Sequence, residues 1–358
     1  MTIQNPNIVI TAMAALTPVG INAEQSCAAI EAGMTRIIEH AYFQCTPEDP
    51  EWDEDLPLFA SDVPLIDPFT DGTERLLQLA LPVLTEVMSK AKLKRADLET
   101  GGLMLALPQL DKAINELNLS KQFIPELCKR TGLTTFKLWK ATQTGHTGVF
   151  TLLQSAIQKL NAGDIRFCIV GGVESYLLEK RLDLLDAAWR LRSERTVDGF
   201  IPGEAAVMLM LETADSAKAG GRPILARLGG LAEATEPETI TSNKHSTGAG
   251  LTQVIQTALQ GQNGVLADSV YCSLNGESYY AFDWGVALAR ANEELKGMKN
   301  LSHPADCIGD IGAATGGLLM ICAITALNKE DSSKAQSLLW TASDNGHRMA
   351  LSLNKTVE

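Results

Sequence analysis

Apolar and polar positions along the chain form short apolar runs that alternate with longer amphipathic stretches. Residues 103–107 and 167–172 are continuously apolar, as expected of strands that are covered on both faces. Residues 311–327 are apolar on nearly every face and rich in glycine, which predicts a helix buried among other elements. Similar elements recur in two parts, residues 1–217 and 222–358. The pattern therefore predicts an α/β protein with two duplicated halves, two sheets and a central helical layer.

Local patterns predict several further elements. Residues 136–141 form a predicted strand that enters a sharp turn at 144–148, after which a helix follows. Residues 41–72 are rich in Pro, Asp and Glu, which predicts a surface excursion with little regular structure. A helix is predicted from about residue 73 to 92, bent or broken at Pro82.

Composition narrows the functional classes. The chain of 358 residues is 45% hydrophobic and carries a net charge of −13, so its field repels phosphate backbones and anionic lipids. No nucleic acid and no membrane surface is therefore expected as a partner. The N-terminus does not resemble a signal peptide, and seven cysteines without a C-x-x-C pair are typical of reduced thiols in a cytoplasmic protein. The glycine clusters lack a phosphate-binding fingerprint, so no cofactor is predicted.

Four segments, in order along most of the chain, resemble the β-ketoacyl synthase family of the thiolase superfamily. A strand and its loop lie at residues 9–20, and a helix end with its G-G-x-E turn lies at 160–175. A D-G-F segment followed by G-E-A lies at 198–206, and a glycine-rich segment lies at 309–316. Together they are more specific than any one of them. The resemblance implies the thiolase-like five-layered αβαβα sandwich, which is usually dimeric in that family.

Members of this family condense acyl groups with a cysteine at the N-terminus of a buried helix, two histidines and a lysine. In this chain the resemblance places those four positions, in that order, on His146, Asn275, Asp310 and Ala305. A shift of a few residues instead places Gln143 or Thr142 at the cysteine position. The resemblance therefore implies that none of the condensing groups is retained.

His146 has several interpretations. An imidazole at a helix N-terminus can act as a base or nucleophile, or it can fill the site and bond to a neighbour. If Asp310 converges on it, the two form a carboxylate–imidazole pair, with Thr147 or Thr144 as the nearest hydroxyl nucleophile. A metal held by His146, Asp310 and His347 is a weaker hypothesis, because paired ligand spacing is absent. We adopt the filled, hydrogen-bonded histidine, and no metal is predicted.

We predict a non-catalytic ketosynthase-like protein that acts by binding, either as the inactive subunit beside an active ketosynthase or as a protein adaptor. The alternative is an acyltransferase or hydrolase that attacks an acyl thioester through a rebuilt site around His146 and Asp310. A homodimer, or a heterodimer with a ketosynthase-fold partner, is expected, with strand 167–172 at the sheet edge where two protomers meet. Docking of an acyl carrier protein stays open, because the acidic net charge opposes an acidic carrier.

Overall fold

The computed structural model describes residues 3–4, 7–48, 54–242, 244–260, 267–329 and 335–356 of the chain. The strands are β1 (Ile3–Gln4), β2 (Ile8–Leu16), β3 (Ile38–Cys45), β4 (Leu56–Ala60), β5 (Gly101–Ala106), β6 (Leu138–Thr142), β7 (Phe167–Ser175), β8 (Glu204–Thr213), β9 (Ala226–Thr235), β10 (Ser269–Cys272), β11 (Asn300–Ser302), β12 (Gln336–Ala342) and β13 (His347–Asn354). The α-helices are α1 (Ala23–Glu31), α2 (Gly72–Lys90), α3 (Lys112–Glu116), α4 (Leu119–Thr131), α5 (Gly148–Asn161), α6 (Glu179–Ala187), α7 (Ala214–Ala219), α8 (Ala249–Leu259), α9 (Ser278–Arg290), α10 (Asn292–Leu295), α11 (Ala305–Ile308) and α12 (Thr315–Leu327). Short 3-10 turns lie at Arg95–Thr100, Gly145–Thr147 and Gly312–Ala314.

The main sheet repeats one strand arrangement twice. In the N-terminal half, β6, β5 and β7 are parallel neighbours, and β8 and then β2 follow antiparallel. In the C-terminal half, β11, β10 and β12 are parallel neighbours, and β13 and then β9 follow antiparallel. The halves meet where β2 pairs with β9 through Val9 with Arg227 and Ile10 with Ala226. This correspondence agrees with the duplication predicted from the sequence.

Two helices from different halves, α5 and α12, lie between the two portions of the sheet. Because side chains alternate along a strand, Met104 of β5 faces this central layer while Leu105 faces the outer helices α2 and α4. On the other half, Leu339 of β12 faces the central layer, whereas Trp340 stacks on Trp284 of the outer helix α9. The five layers of the thiolase-like αβαβα sandwich are therefore confirmed.

Strand β7 is an inner strand, which corrects the prediction that residues 167–172 lie at a sheet edge. Phe167 pairs with Gly101 of β5 on one side and with Glu212 of β8 on the other. Burial on both faces explains why the whole strand is apolar. The N-terminal half instead ends at β6, whose Trp139 side chain is 46% exposed.

The acidic excursion is more regular than its composition suggests. Residues 41–72 were predicted to hold little regular structure, but β3 and β4 pair as an antiparallel hairpin that includes the first part of this stretch. Residues 49–53 of the excursion lie outside the described residues. Helix α2 continues through Pro82 without a break. No helix within the described ranges is long and apolar enough to cross a lipid bilayer.

Candidate functional site

The predicted elbow before α5 is present and buries His146. A single 3-10 turn, Gly145–Thr147, leads from β6 into α5. Gly145 has a φ of +66°, and a Cβ atom there would lie 2.4 Å from the side-chain oxygen of Gln109. Only glycine fits this left-handed, crowded position. The turn sets the imidazole of His146 at the N-terminal end of α5, where it is 4% exposed.

A second elbow of the same kind stands before α12. There the turn Gly312–Ala314 follows Asp310, and the backbone N–H of Gly312 donates to Oδ1 of Asp310 over 2.8 Å. The next N–H, of Ala313, donates to Oε2 of Glu174 over 2.8 Å. Carboxylates therefore accept hydrogen bonds from N–H groups at the helix N-terminus that have no partner within the helix, and the helix dipole favours negative charge there.

The two elbows face each other and join their side chains. Nε2 of His146 lies 2.7 Å from Oδ1 and 3.0 Å from Oδ2 of Asp310. The side-chain amide of Asn275 donates to Oδ2 of Asp310 over 2.8 Å and to Oε2 of Glu277 over 2.9 Å. The structure thus brings together all three residues that the sequence singled out. Ala305, at the predicted lysine position, lines the same small cavity as Asn275 and Asp310.

The polar network continues outward through residues that the sequence did not single out. Glu277 accepts two hydrogen bonds of 2.7 Å from Arg190, and Arg190 donates to Oδ2 of Asp344 over 2.6 Å. The hydroxyl of Tyr280 donates to Oδ1 of Asp344 over 2.5 Å. Glu277, Arg190 and Asp344 all lie outside the four segments that resemble the family, so no sequence signal pointed to them. We call the chain from His146 through Asp310, Asn275, Glu277 and Arg190 to Asp344 the polar relay.

Opposite charges govern the inner end of the polar relay. Burial opposes protonation of His146, but the adjacent Asp310 carboxylate outweighs it and raises the pKa of His146 above its ordinary value. Burial likewise opposes ionisation of Asp310, yet the His146 imidazole and the donors around it lower the pKa of that carboxyl. The two groups therefore favour an imidazolium–carboxylate pair.

At the outer end, burial raises the pKa of Glu277 although Arg190 opposes the shift. Burial opposes ionisation of Asp344 too, but Arg190 and Tyr280 prevail and lower its pKa to about 2. Arg190 thus keeps Asp344 charged while Glu277 takes up a proton more readily than an exposed glutamate.

The other nitrogen of His146 has no partner among the described residues: Nδ1 is buried without a hydrogen bond. The hydroxyl of Thr147 lies instead 3.1 Å from Nδ1 of His347, on the other side of the turn. His347 therefore does not join His146 and Asp310 as a ligand set. Within the described ranges, no group of three His, Cys, Asp or Glu side chains is placed to hold a metal ion.

Two spaces adjoin the polar relay. The inner cavity, beside Asn275, Ala305 and Asp310, has a volume of about 10 Å³. Such a space holds one water molecule at most. The outer cleft has a volume of about 560 Å³, with Arg190 and Glu277 among its lining residues and with the aromatic side chains of Trp189, His245, Tyr279 and Phe282.

Comparisons with known proteins show which family the chain resembles. The family model for the N-terminal domain of β-ketoacyl synthases matches residues 141–217. The chain is 23% identical to 3-oxoacyl-[acyl-carrier-protein] synthase 2 of Staphylococcus aureus (strain COL), over 94% of this chain and 88% of that protein.

Solved structures show the same fold. One is a chain of a type II polyketide ketosynthase bound to a hexaketide and in complex with its acyl-carrier protein; the TM-score is 0.80 at 15% identity, covering 99% of this chain and 100% of that one. Another is the ketosynthase from module 6 of the bacillaene synthase of Bacillus subtilis 168, with a TM-score of 0.72 at 14% identity, covering 98% of this chain and 72% of that one.

The chain is a β-ketoacyl synthase-like protein with the thiolase fold. In this ketosynthase-like chain, the matched segment includes His146 and α5 but neither Asn275 nor Asp310. The proposed correspondence of Asn275 and Asp310 with the family's two histidines therefore rests on their hydrogen bonds within the polar relay.

Proposed function

We propose that this ketosynthase-like chain does not condense acyl groups and acts by binding, as the inactive partner of a ketosynthase-fold subunit or as a protein adaptor. The fold does not confer the reaction without the groups that carry it out. His146, Asn275 and Asp310, at the proposed positions of the cysteine and the two histidines, supply no thiolate and no pair of imidazoles to stabilise an enolate.

One observation carries the proposal: the inner cavity beside Asn275 and Asp310 has a volume of only about 10 Å³. Pockets for small ligands usually measure several hundred Å³. An acyl chain or a thioester arm does not fit there unless the polar relay separates. Separation would leave the Asp310 carboxylate, now only 3% exposed, without its partners.

The alternative, an acyltransferase or hydrolase built on His146 and Asp310, has one observation in its favour. The two side chains form a close pair, and Nδ1 of His146 has no partner among the described residues. However, the nearest candidate nucleophile, the hydroxyl of Thr147, is buried and lies beside His347 instead. A base and a nucleophile that do not meet support acyl transfer less well than binding does.

Strand β6 is the surface on which we propose that two protomers, or this chain and a ketosynthase-fold partner, meet. One side of β6 pairs with β5, and among the described strands nothing pairs with the other. An unpaired edge with an exposed aromatic, here Trp139, invites pairing with another strand. Two β6 strands that pair would extend the sheet across both chains.

Light scattering on the purified chain tests this surface. We expect a wild-type dimer and a monomeric Trp139→Asp variant, because the substitution removes the exposed aromatic of β6 and places a carboxylate on the edge. Trp189→Asp is the matched control, since Trp189 is 50% exposed, against 46% for Trp139, but lies in the outer cleft. A dimeric Trp139→Asp variant would reject β6. A monomeric wild type would reject the homodimer and leave pairing with another chain, tested by mixing with a candidate ketosynthase.

The proposed lack of acyl transfer is tested separately, by measuring the intact mass of the chain after incubation with an acyl thioester. The proposal predicts no stable acyl adduct on the folded chain. An adduct on His146 or Thr147 would favour the acyltransferase alternative.

A further inference from the structure

Two cysteines that are distant in the sequence contact each other where helix α1 packs against α12, away from the polar relay. Cys27 lies on α1 and Cys322 on α12, and their sulfur atoms are 3.8 Å apart. The two residues are separated by 295 positions in the sequence. Cys322 lies about two turns along α12 from its N-terminal elbow. The contact therefore joins the first helix of the N-terminal half to the buried helix of the C-terminal half.

Cys27 differs from the other thiols in its surroundings, whereas the hydrogen bond with Cys27 and burial raise the pKa of Cys322. The hydroxyl of Thr325 lies 3.5 Å from the sulfur of Cys27. The hydrogen bond with Cys322, supported by that of Thr325, lowers the pKa of Cys27 against the opposing effect of burial. Burial instead raises the pKa of Cys45 and Cys272, each to about 12. Since the thiolate is the reactive form, Cys27 is the better nucleophile of these thiols.

The place of α1 at the surface also favours reaction at this pair. Exposure alone does not distinguish it, because Cys27 is 5% and Cys322 8% exposed, as against 8% for Cys128 and 7% for Cys307. Helix α1 is a surface helix whose outer face includes the exposed Glu24 and Glu31. A disulfide needs its sulfur atoms about 2.05 Å apart. Side-chain rotation and a small shift of α1 toward the buried α12 can close the gap.

We propose that Cys27 and Cys322 form a dithiol that peroxide oxidises to a disulfide, which ties α1 to α12. The Cys27 thiolate attacks one oxygen of hydrogen peroxide and the O–O bond breaks, leaving Cys27 as a sulfenic acid while the departing hydroxide takes a proton to become water. The sulfur of Cys322 then attacks the sulfur of Cys27; the S–S bond forms, the S–O bond breaks, and a second water leaves. Overall two thiols lose two hydrogens and one peroxide becomes two waters. This site does not depend on the proposed function.

The test treats the folded, full-length wild-type chain with hydrogen peroxide, blocks the remaining thiols by alkylation, and maps disulfides by mass spectrometry. We expect the chain to lose two of its seven thiols, to contain a peptide pair joined through Cys27 and Cys322, and to migrate faster on a non-reducing gel because a long loop is closed. Dithiothreitol should reverse each change. The oxidised chain should also unfold at a higher temperature, since the cross-link restricts the unfolded state.

Matched variants locate the reaction. Cys27→Ser and Cys322→Ser should each abolish the fast-migrating form. Cys307→Ser should retain it, because Cys307 lies on α11 and contacts the carbonyl of Ile30 rather than either sulfur. If a variant fails to fold, the disulfide map of the wild-type chain still tests the proposal. Folded wild-type chain with all thiols free, with Cys27 oxidised beyond sulfenic acid without a cross-link, or with a different cysteine pair joined would overturn the proposal.

Discussion

The inner cavity and the outer cleft adjoin opposite ends of the polar relay, yet they differ in almost every property. The inner cavity, of about 10 Å³, adjoins Asn275 and Asp310, which bond to each other, and Asp310 also bonds to His146. The outer cleft, of about 560 Å³, has exposed aromatic side chains such as Trp189 and Phe282 at its wall.

Between the two spaces lies the Asn275–Glu277–Arg190 part of the polar relay. Side chains that bond to one another fill the space beside Asn275 and Asp310, while space for a ligand or partner remains at the surface. Binding outside a closed centre is the function that this division favours.

The largest expected effect comes from breaking the inner end. Asp310→Ala leaves His146 buried without its partner and should reduce the free energy of unfolding by about 3–5 kcal/mol, as measured by urea denaturation. Asp310→Asn is the control, because its amide keeps the shape and an acceptor oxygen, and it should cost less. A loss below about 1 kcal/mol for Asp310→Ala would mean that the pair does not hold the inner cavity closed.

A smaller effect should appear as the pH changes. The folded-state pKa of His146 is raised, so its contribution to stability is complete below its ordinary pKa of about 6.5 and is lost as the pH rises through the folded-state value. The pKa of Asp310 is lowered, so its contribution is complete above about 3.9 and is lost as the pH falls through its own folded-state value. The pair should therefore stabilise the fold most between about pH 4 and 6.5.

Denaturation of the wild type and of His146→Gln, at pH 6 and at pH 8.5, measures this dependence. Gln keeps a neutral donor toward Asp310 but does not titrate. The wild type should lose its advantage over the variant as the pH rises, by about 1.4 kcal/mol for each unit by which the pKa is raised. An advantage that grows with pH would show that His146 is neutral in the folded chain.

The outer cleft should tolerate substitution. Phe282 is 45% exposed and lies against His245, with ring centroids 5.0 Å apart. Phe282→Ser should change the free energy of unfolding by less than about 0.5 kcal/mol, because little buried surface is lost. If the same denaturation experiment gave a loss above about 2 kcal/mol, the cleft would belong to the core and the contrast with the inner cavity would fail.

The smallest expected effect is that of restoring the proposed nucleophile alone. His146→Cys places a thiol at the N-terminus of α5 but leaves Asn275, Asp310 and Ala305 unchanged. Because such groups act as a unit, condensation should not appear in an assay with acyl and malonyl thioesters. A variant that both acquires a stable acyl group and extends it would contradict the assignment of the other positions.

Much of the fold follows from patterns that are local in the sequence. The apolar, glycine-rich run after Asp310 predicted the buried helix α12, and the turn around His146 predicted the elbow before α5. The order of strands in a sheet does not follow from local patterns. Residues 167–172 were correctly predicted to form a strand but were placed at a sheet edge, because the strands that pair with β7 on its two sides come from distant parts of the chain. The hairpin of β3 and β4 was missed because Pro and acidic residues dominate the stretch and β3 is mostly exposed, without alternating burial.

For the site, the resemblance selected three residues that the structure brings into contact, His146, Asn275 and Asp310. Arg190 was missed because its role depends on its ion pairs with Glu277 and Asp344. These two residues come from the turn before α9 and the loop after β12, which approach Arg190 only in the folded chain. An arginine outside any motif carries no sign of such a partner until the chain is folded.

Condensation by the purified wild-type chain is the most direct test of the central claim. The chain is incubated with an acyl thioester and a malonyl thioester, and the 3-oxoacyl product is quantified by mass spectrometry against a heat-denatured sample. With His146, Asn275 and Asp310 at the proposed positions of the thiolate and the two imidazoles, and with an inner cavity of about 10 Å³, the folded chain should yield no more product than the denatured one. Product that accumulates above that control, in proportion to the amount of folded protein, would contradict the account.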